Sequence, residues 1–477
     1  MKITIVTSPT LTEHDDPITV NRLVRTNPGL YETPPLGPLV VASLFRQEGW
    51  SVDISNVNAE YCRHLNDGGT QVTFCRDYAV RLAERDSRYY GFSSICSSYP
   101  FTLRIAQNLK QFRPDSIIIV GGPQGSATAR ATLEACPFVD YVLRGEVETS
   151  IAQFVKSHFS EPASVAGMCW RDNGRVVSNA PPAPADIDTV PMPAYDLWDM
   201  NGVEVIHIEA GRGCPFRCKF CSTSTFFGRT YRLKNPEALA AEAAAATARY
   251  GVHKVAFVHD NLFRTENGCR EFCETWMRNS DLRNVTWTCS LRVDFVTPAI
   301  AQVLARSRCA GVFLGIETGA PRMQRVIGKN INLARARHSI SALLGAGVKV
   351  TTSFIIGFPE ETESELAQTL DFYCEMLRLP EVKPQAGALA VLPDAAYCTG
   401  EAMESLVLRE GISSMAHQGP PIPNELRQYI ASSRDLFASH YSPRLEHLDS
   451  GFVSEAEYFL RYATGMYRWL ILLIALV

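Results

Sequence analysis

The sequence predicts an α/β protein in three parts: an N-terminal Rossmann-like doubly wound domain, a partial (β/α)6 barrel and a C-terminal helical region. Three observations carry this. Short apolar runs alternate with helix-spaced segments over residues 1–158 and again over 203–391, as parallel strands joined by helices require. Pro181, Pro182, Pro184, Pro191 and Pro193 lie between the two series. At 477 residues the chain can build two or three domains, each with its own core. A hydrophobic content of 46% with 20% charged residues excludes disorder, collagen and coiled coil as the dominant state. The net charge of −4 gives no global attraction to nucleic acid or an anionic membrane.

In the first domain (1–158), strands are expected at 3–6, 52–57, 89–95, 117–120 and 141–143, with helices at 38–47 and 101–112. The run Ile117–Val120 has no polar side, so it fits a strand buried on both faces. Open sheets of this kind bind ligands at the carboxyl ends of their strands. Residues 159–200 read as a hairpin around Asp172-Asn173-Gly174, then a stiff proline linker. In 201–395, strands are expected at 203–209, 254–258, 285–290, 312–316, 349–356 and 385–391. Helices are expected near 235–249, 267–278, 298–306, 333–345 and 362–377, and the Ala-rich stretch within the first is a good helix former. Six β/α steps suit a barrel or partial barrel, whose reactive face is the set of loops after the strands.

Residues 396–477 read as mostly helical, with His417, His440 and His447 as surface residues. The apolar terminus Trp469–Val477 is too short to cross a bilayer and is expected to pack as a helix on the barrel. The start, MKITIVTSPT, reads as a strand and not as a signal peptide. Fourteen irregularly spaced cysteines do not form a secreted disulfide framework, so a reducing cytoplasm is expected.

The chemistry concentrates in one loop. The first barrel strand runs into Ala-Gly-Arg-Gly and then Cys214-Pro-Phe-Arg-Cys218-Lys-Phe-Cys221, a C-x3-C-x2-C spacing. Thiolates are soft ligands, and three on one short loop can serve one metal centre. A structural zinc site takes four protein ligands, and no fourth Cys or His lies nearby. Three ligands on a four-iron cluster leave one iron open for a substrate or cofactor. The flanking glycines let the loop wrap a large group.

At these residues the sequence resembles the radical S-adenosylmethionine (SAM) superfamily, with Phe220 as the aromatic before the last cysteine. The resemblance implies that Cys214, Cys218 and Cys221 hold a 4Fe–4S cluster and that SAM chelates the open iron. It places SAM contacts at Asp260, Ser290, Arg292, Glu317 and Gly357, beside Phe220. Asp260 stands where many members have Gly-Gly-Glu, a departure from the family pattern. Gly315-Ile-Glu-Thr-Gly319 and Gly357-Phe-Pro-Glu-Glu-Thr362 resemble members with an N-terminal cobalamin-binding domain. By the same resemblance, Thr7, Ser8, Gly37, Ser93, Ser94, Gly121, Gly122, Gly145 and Glu146 would form a platform for cobalamin. The Asp-x-His-x-x-Gly motif that ligates cobalt in many relatives is absent, so no histidine is expected below the metal. Methylthiotransferases instead bind a second cluster in this domain. Their first cysteine falls where this chain has Ser8, so Cys62, Cys96 and Cys136 read as small buried hydrophobes.

The resemblance implies a cobalamin-dependent radical SAM methyltransferase acting on an unactivated carbon of a small-molecule or natural-product substrate. Its partners would be that substrate and an electron donor such as flavodoxin or ferredoxin, without nucleic acid. Methylthio transfer, rearrangement and ring formation are alternatives, and an iron–sulfur or cobalamin sensor is the non-enzymatic one.

Overall fold

A computed structural model describes residues 1–10, 20–21, 33–157, 161–408 and 424–460. The chain divides into two compact units, Met1–Val203 with Gly419–Tyr441, and Glu204–Gln418 with Ser442–Val477. The expected terminal helix and His417 lie outside the described residues.

The first unit is built on β1 (Lys2–Val6), β2 (Ser51–Ser55), β3 (Tyr89–Ser93), β4 (Ile117–Gly121), β5 (Tyr141–Leu143), β6 (Met168–Asp172) and β7 (Arg175–Ser178). Their order is β2-β1-β3-β4-β5-β6-β7. The first five run parallel, and β6 and β7 add antiparallel. The sequence therefore reverses direction across the sheet between β1 and β3, the switch point where such sheets open a crevice.

Three expectations are corrected in this unit. The second strand stops at Ser55, because Asn56 accepts from Ala59 N and starts the helix Val57–Asn66. The hairpin is not a separate module: its β6 extends the sheet by pairing with Tyr141–Leu143. The proline-rich segment is not a free linker. Ala185, Ile187, Val190 and Ala194 enter the core cluster around Phe45 and Trp50, and Arg46 bonds both oxygens of Asp196. Proline pre-sets extended backbone, so laying this strap along the sheet costs little conformational entropy.

Residues 424–441 also belong here. Phe437 is buried against Tyr99, and Gln124 Nε2 donates to Leu436 O at 2.8 Å. His440, expected at the surface, is buried at 2% exposure beside Phe437, whereas His447 is exposed.

In the second unit, β8 (Ile206–Glu209) leads to a two-residue ribbon of β9 (Gly211–Arg212) with β10 (Arg232–Leu233). β11 (Lys254–Val258), β12 (Thr286–Leu291), β13 (Cys309–Glu317), β14 (Lys349–Ile356) and β15 (Val382–Ala388) follow. The six-stranded sheet β15-β14-β13-β12-β11-β8 is parallel and in strict chain order. A helix follows each of the first five strands, as the pattern required. That over Pro236–Tyr250 is capped by Asn235 and ended by left-handed Gly251. Phe257, Phe272, Trp276 and Trp287 pack edge to face between sheet and helices. This rigid layer sets the strand ends that carry the site.

Candidate active site

The cysteine loop of the second unit is an excursion pinned at its base by the β9–β10 ribbon. A Cβ on Gly211 would lie 2.2 Å from Arg232 O, and one on Gly213, at φ +85°, 2.3 Å from Thr230 O. Only glycine allows the two limbs to approach this closely. Further out, Lys219 N donates to Ile327 O and Lys219 O accepts from Ala396 N, both at 2.9 Å. Phe220 is half-buried against the cluster of Met323, Ile327, Phe358 and Tyr397, with its ring 6.2 Å from that of Phe358. Its place in this structure is that of an anchor for the loop.

Cys214, Cys218 and Cys221 are each partly exposed. Burial pushes the Cys218 thiol up to about 11, with the nearby Lys329 ammonium pulling against it. Metal binding would therefore displace thiol protons. Among the described residues no three His, Cys, Asp or Glu side chains converge on a point where one metal ion would sit. A multi-iron cluster makes a different demand. Each thiolate takes its own iron, so the sulfurs stand apart around the cluster. Three thiols on a glycine-hinged loop, with no fourth ligand converging among the described residues, fit that group.

The strand ends bring charge to the same rim. Glu209 takes Arg212 Nε and Nη2 at 2.8 and 2.9 Å. Arg292 is bonded through two nitrogens to Asp294, donates to Lys329 O and lies 3.8 Å over the Phe216 ring. Asp260 is exposed and accepts from Thr223 Oγ1 at 3.1 Å. Ser290 is half-buried near the end of β12, its carbonyl accepting from Leu262 N.

Glu317 is the most constrained position. It is 6% exposed, adopts φ +68° at a register break in β13, and pairs with Lys329 Nζ at 2.8 Å. A Cβ on Gly315 would lie 2.2 Å from the Glu317 carboxylate, so that glycine makes room for the pair. Burial works against the Lys329 ammonium, yet Glu317 and Cys218 together outweigh it and the lysine pKa rises. The strain is held by buried Gln324, whose amide donates to Ile316 O and Thr318 O at 2.8 and 2.7 Å. Gly357, at φ +78°, donates its N–H to Glu361 Oε2 at 2.7 Å. Burial pushes the Glu361 carboxyl up to about 7.

Sequence reading missed Lys329, Gln324 and Glu361. Lys329 and Gln324 sit on the segment after β13, and Glu361 entered the sequence reading only as a letter of the Gly357–Thr362 motif. None has a spacing that marks it, because each gains its role from a contact that folding creates.

In the first unit the expected residues line the strand ends, and most of their polar groups are already satisfied. At the β1/β3 switch point Ser8 Oγ donates to Ser93 O at 3.1 Å. Ser94 Oγ donates to Gly121 O and accepts from Gly125 N, at 2.6 and 2.8 Å. Gly122, at φ +95°, would bring a Cβ to 2.7 Å from Ser94 O. The result is a floor of backbone and short side chains, a cradle that larger residues would fill. Thr7, buried at 5%, donates to Ser55 O and accepts from Val57 N, so its hydroxyl is used inside the fold. Gly145 faces Pro182, and Glu146 accepts from Ala185 N, so this strand end lies against the proline strap. Gly37 is exposed with open space around it. Cys136 is buried beside Tyr429, while Cys62 and Cys96 are only partly buried.

A family model of the radical SAM superfamily matches residues 208–373, and one of the B12 binding domain matches residues 23–155. An uncharacterized methyltransferase of Pyrococcus horikoshii is 29% identical over 381 residues, covering 78% of this chain and 77% of that protein. The anaerobic magnesium-protoporphyrin IX monomethyl ester cyclase of Cereibacter sphaeroides is 28% identical over 284 residues. That match covers 56% of this chain and 45% of the cyclase, so the chain spans less than half of that relative. Among solved structures, the radical SAM methyltransferase TsrM of Kitasatospora setae, with cobalamin and a 4Fe–4S cluster bound, aligns with a TM-score of 0.70. The alignment covers 98% of this chain and 92% of that one at 14% identity, which is a likeness of fold. With the B12 binding model on the sheet that has a β1/β3 switch point and the radical SAM model on the sheet that carries the cysteine loop, the chain is similar, domain by domain, to cobalamin-dependent radical SAM enzymes.

Proposed function

We propose that this enzyme transfers a methyl group to an unactivated carbon of a small-molecule substrate in a cobalamin-dependent radical SAM reaction. The observation that carries the reading is the glycine-hinged C-x3-C-x2-C loop beside the strained, ion-paired Glu317. When bound, the cofactors supply a 5′-deoxyadenosyl radical from one-electron cleavage of SAM and a methyl group carried by cobalamin.

The protein's own residues bind, orient and shield. Cys214, Cys218 and Cys221 would hold the cluster. Phe220 fixes their loop against Phe358. Glu317, Arg292, Ser290, Asp260 and Gly357 surround the space where SAM would meet the open iron. Zwitterionic SAM needs both signs of charge, and the Glu317–Lys329 and Arg292–Asp294 pairs provide both without leaving a lone buried charge. The floor at Ser8, Ser93, Ser94, Gly121 and Gly122 would seat the corrin face. Thr7, Gly145 and Glu146 support that floor from inside the fold, and Gly37 lies open to solvent. The reaction needs an external one-electron donor. All fourteen cysteines are free, which supports a reducing cytoplasm as its location. Among the described residues no helix is long and apolar enough to cross a membrane.

Anaerobically reconstituted protein should hold about four irons per chain and release 5′-deoxyadenosine from SAM on reduction. Cys218→Ala should lose both, and full SAM cleavage by that variant would overturn the cluster assignment. The similarity to a cyclase favours ring formation as the second reading. Transfer of label from SAM methyl to product separates methylation from ring closure.

A further inference from the structure

The tip of the cysteine loop, Pro215-Phe216-Arg217, stands between two of the thiols and faces out. Phe216 is 37% exposed and Arg217 is exposed. Beside it opens a cavity of about 510 Å³, lined by Phe216, Arg264, Arg292, Arg335, Asp294 and Glu266 among others. Its charges do not balance locally. Asp294 is taken by Arg292 at 2.9 Å, and Glu266 faces Arg270 at 4.0 Å. Arg264 rests over the Tyr231 ring, and Arg335 and Arg217 make no ion pair among the described residues. Arg264 and Arg335 thus line the cavity with an exposed aromatic ring, and exposed Arg217 follows that ring in sequence, in a chain whose net charge is −4. Among the described residues none of the three cations has a carboxylate partner, so their charge is left to act outward. They attract an anionic surface and raise its encounter rate.

We propose that this cationic rim around Phe216 is the docking surface for a small acidic one-electron carrier protein. The inference rests on the radical SAM reading, which requires such a donor. The carrier would give one electron and be oxidised by one, a cluster held by Cys214, Cys218 and Cys221 would be reduced by one, and no proton would move. Docking at the loop tip brings the carrier against the backbone that joins Cys214 to Cys218, the shortest covalent route inward. Rim charges act mainly on association and its salt dependence.

The test uses full-length holoenzyme, a flavodoxin as the carrier, and the variants Arg264→Glu/Arg335→Glu and Arg264→Lys/Arg335→Lys. Both positions are exposed, so the fold tolerates them. Flavodoxin affinity should fall by roughly tenfold or more in the Glu variant at low salt, stay near wild type in the Lys variant, and converge at about 0.5 M salt. Equal binding by wild type and the Glu variant, or no binding by wild type, overturns the docking surface. In parallel, 5′-deoxyadenosine is measured with dithionite and with reduced flavodoxin. Loss confined to the flavodoxin reaction supports the proposal. Equal loss with dithionite overturns it and assigns these arginines to the SAM site. If wild type releases no 5′-deoxyadenosine even with dithionite, the radical SAM reading fails, and the binding experiment still decides the surface.

Discussion

Both units of this protein end their parallel strands on a rim of loops, and the two rims differ in chemistry. In the first unit the rim is neutral. Ser8 and Ser94 turn their hydroxyls toward backbone carbonyls and an amide, Ser93 Oγ accepts from Ser8 Oγ, and Gly121–Gly122 carry no side chain at all. In the second unit the rim is charged, strained and paired, with Glu209–Arg212, Arg292–Asp294 and Glu317–Lys329 at the ends of β8, β12 and β13. A broad, flat macrocycle is recognised by removing obstructions. A small zwitterion beside a metal cluster is recognised by fixed charges. The same β/α scaffold serves either purpose because the strand-end residues can change without disturbing the sheet.

The contrast can be broken most severely at Lys329. Lys329→Met leaves the Glu317 carboxylate buried and unpaired and should destabilise the second unit by about 3–5 kcal/mol. Adding Glu317→Gln should restore much of that loss. Urea unfolding of the four members of the double-mutant cycle measures it, and a fully additive cycle would show that the pair does not couple.

The neutral rim breaks at a glycine. Gly122→Ala puts a methyl group 2.7 Å from Ser94 O on a backbone at φ +95°, which should cost about 2–3 kcal/mol. Gly37→Ala meets open space in the first turn of a helix. It should change stability by no more than about 0.5 kcal/mol. Thermal unfolding of the two variants side by side checks whether the floor needs glycine only where the chain crosses itself.

Two carboxyls near the start of one helix sharpen the electrostatic side. Burial raises Glu361 to about 7, whereas Arg322 lowers Glu365 to about 2. A carboxyl whose folded pKa is raised favours folding fully below its unfolded value of about 4.5, and that contribution is lost as the pH rises to about 7. A carboxyl whose pKa is lowered contributes above about 4.5 and loses that contribution as the pH falls towards about 2. Glu361→Gln should therefore flatten the stability profile between about pH 5 and 7 while leaving the acid limb set by Glu365. Urea midpoints at a series of pH values in wild type and variant test this. An unchanged slope in the variant would remove Glu361 as its source.

The smallest effect is expected in the first unit, at its cysteines. Changing Cys62, Cys96 and Cys136 to Ser should leave iron at about four per chain, because the neutral rim has no thiol at Ser8. Iron halved by these changes would reveal a second cluster.

Much of the architecture was legible because periodicity is a local property. The strand Ile117–Gly121 announced itself as an unbroken apolar run, and the helix Pro236–Tyr250 as an alanine-rich stretch. The cysteine loop was legible for a similar reason, since its ligands lie within eight residues of sequence. What was misread depended on distant partners. The proline segment looked like a linker until Ile187 and Val190 found the core. His440 looked polar and exposed until Phe437 buried it.

By itself, then, the sequence determined the α/β repeat, the thiol spacing and the small residues after the strands, all set by contacts short along the chain. Only the tertiary structure decided which of those residues spend their polar groups inside the fold and which stay open at the strand ends. Thr7 became a helix cap and Phe220 a loop anchor. Lys329 became the partner of Glu317, twelve residues away across a register break. The physical reason is that burial and pairing set the chemistry of a polar group, and both are properties of the packed neighbourhood.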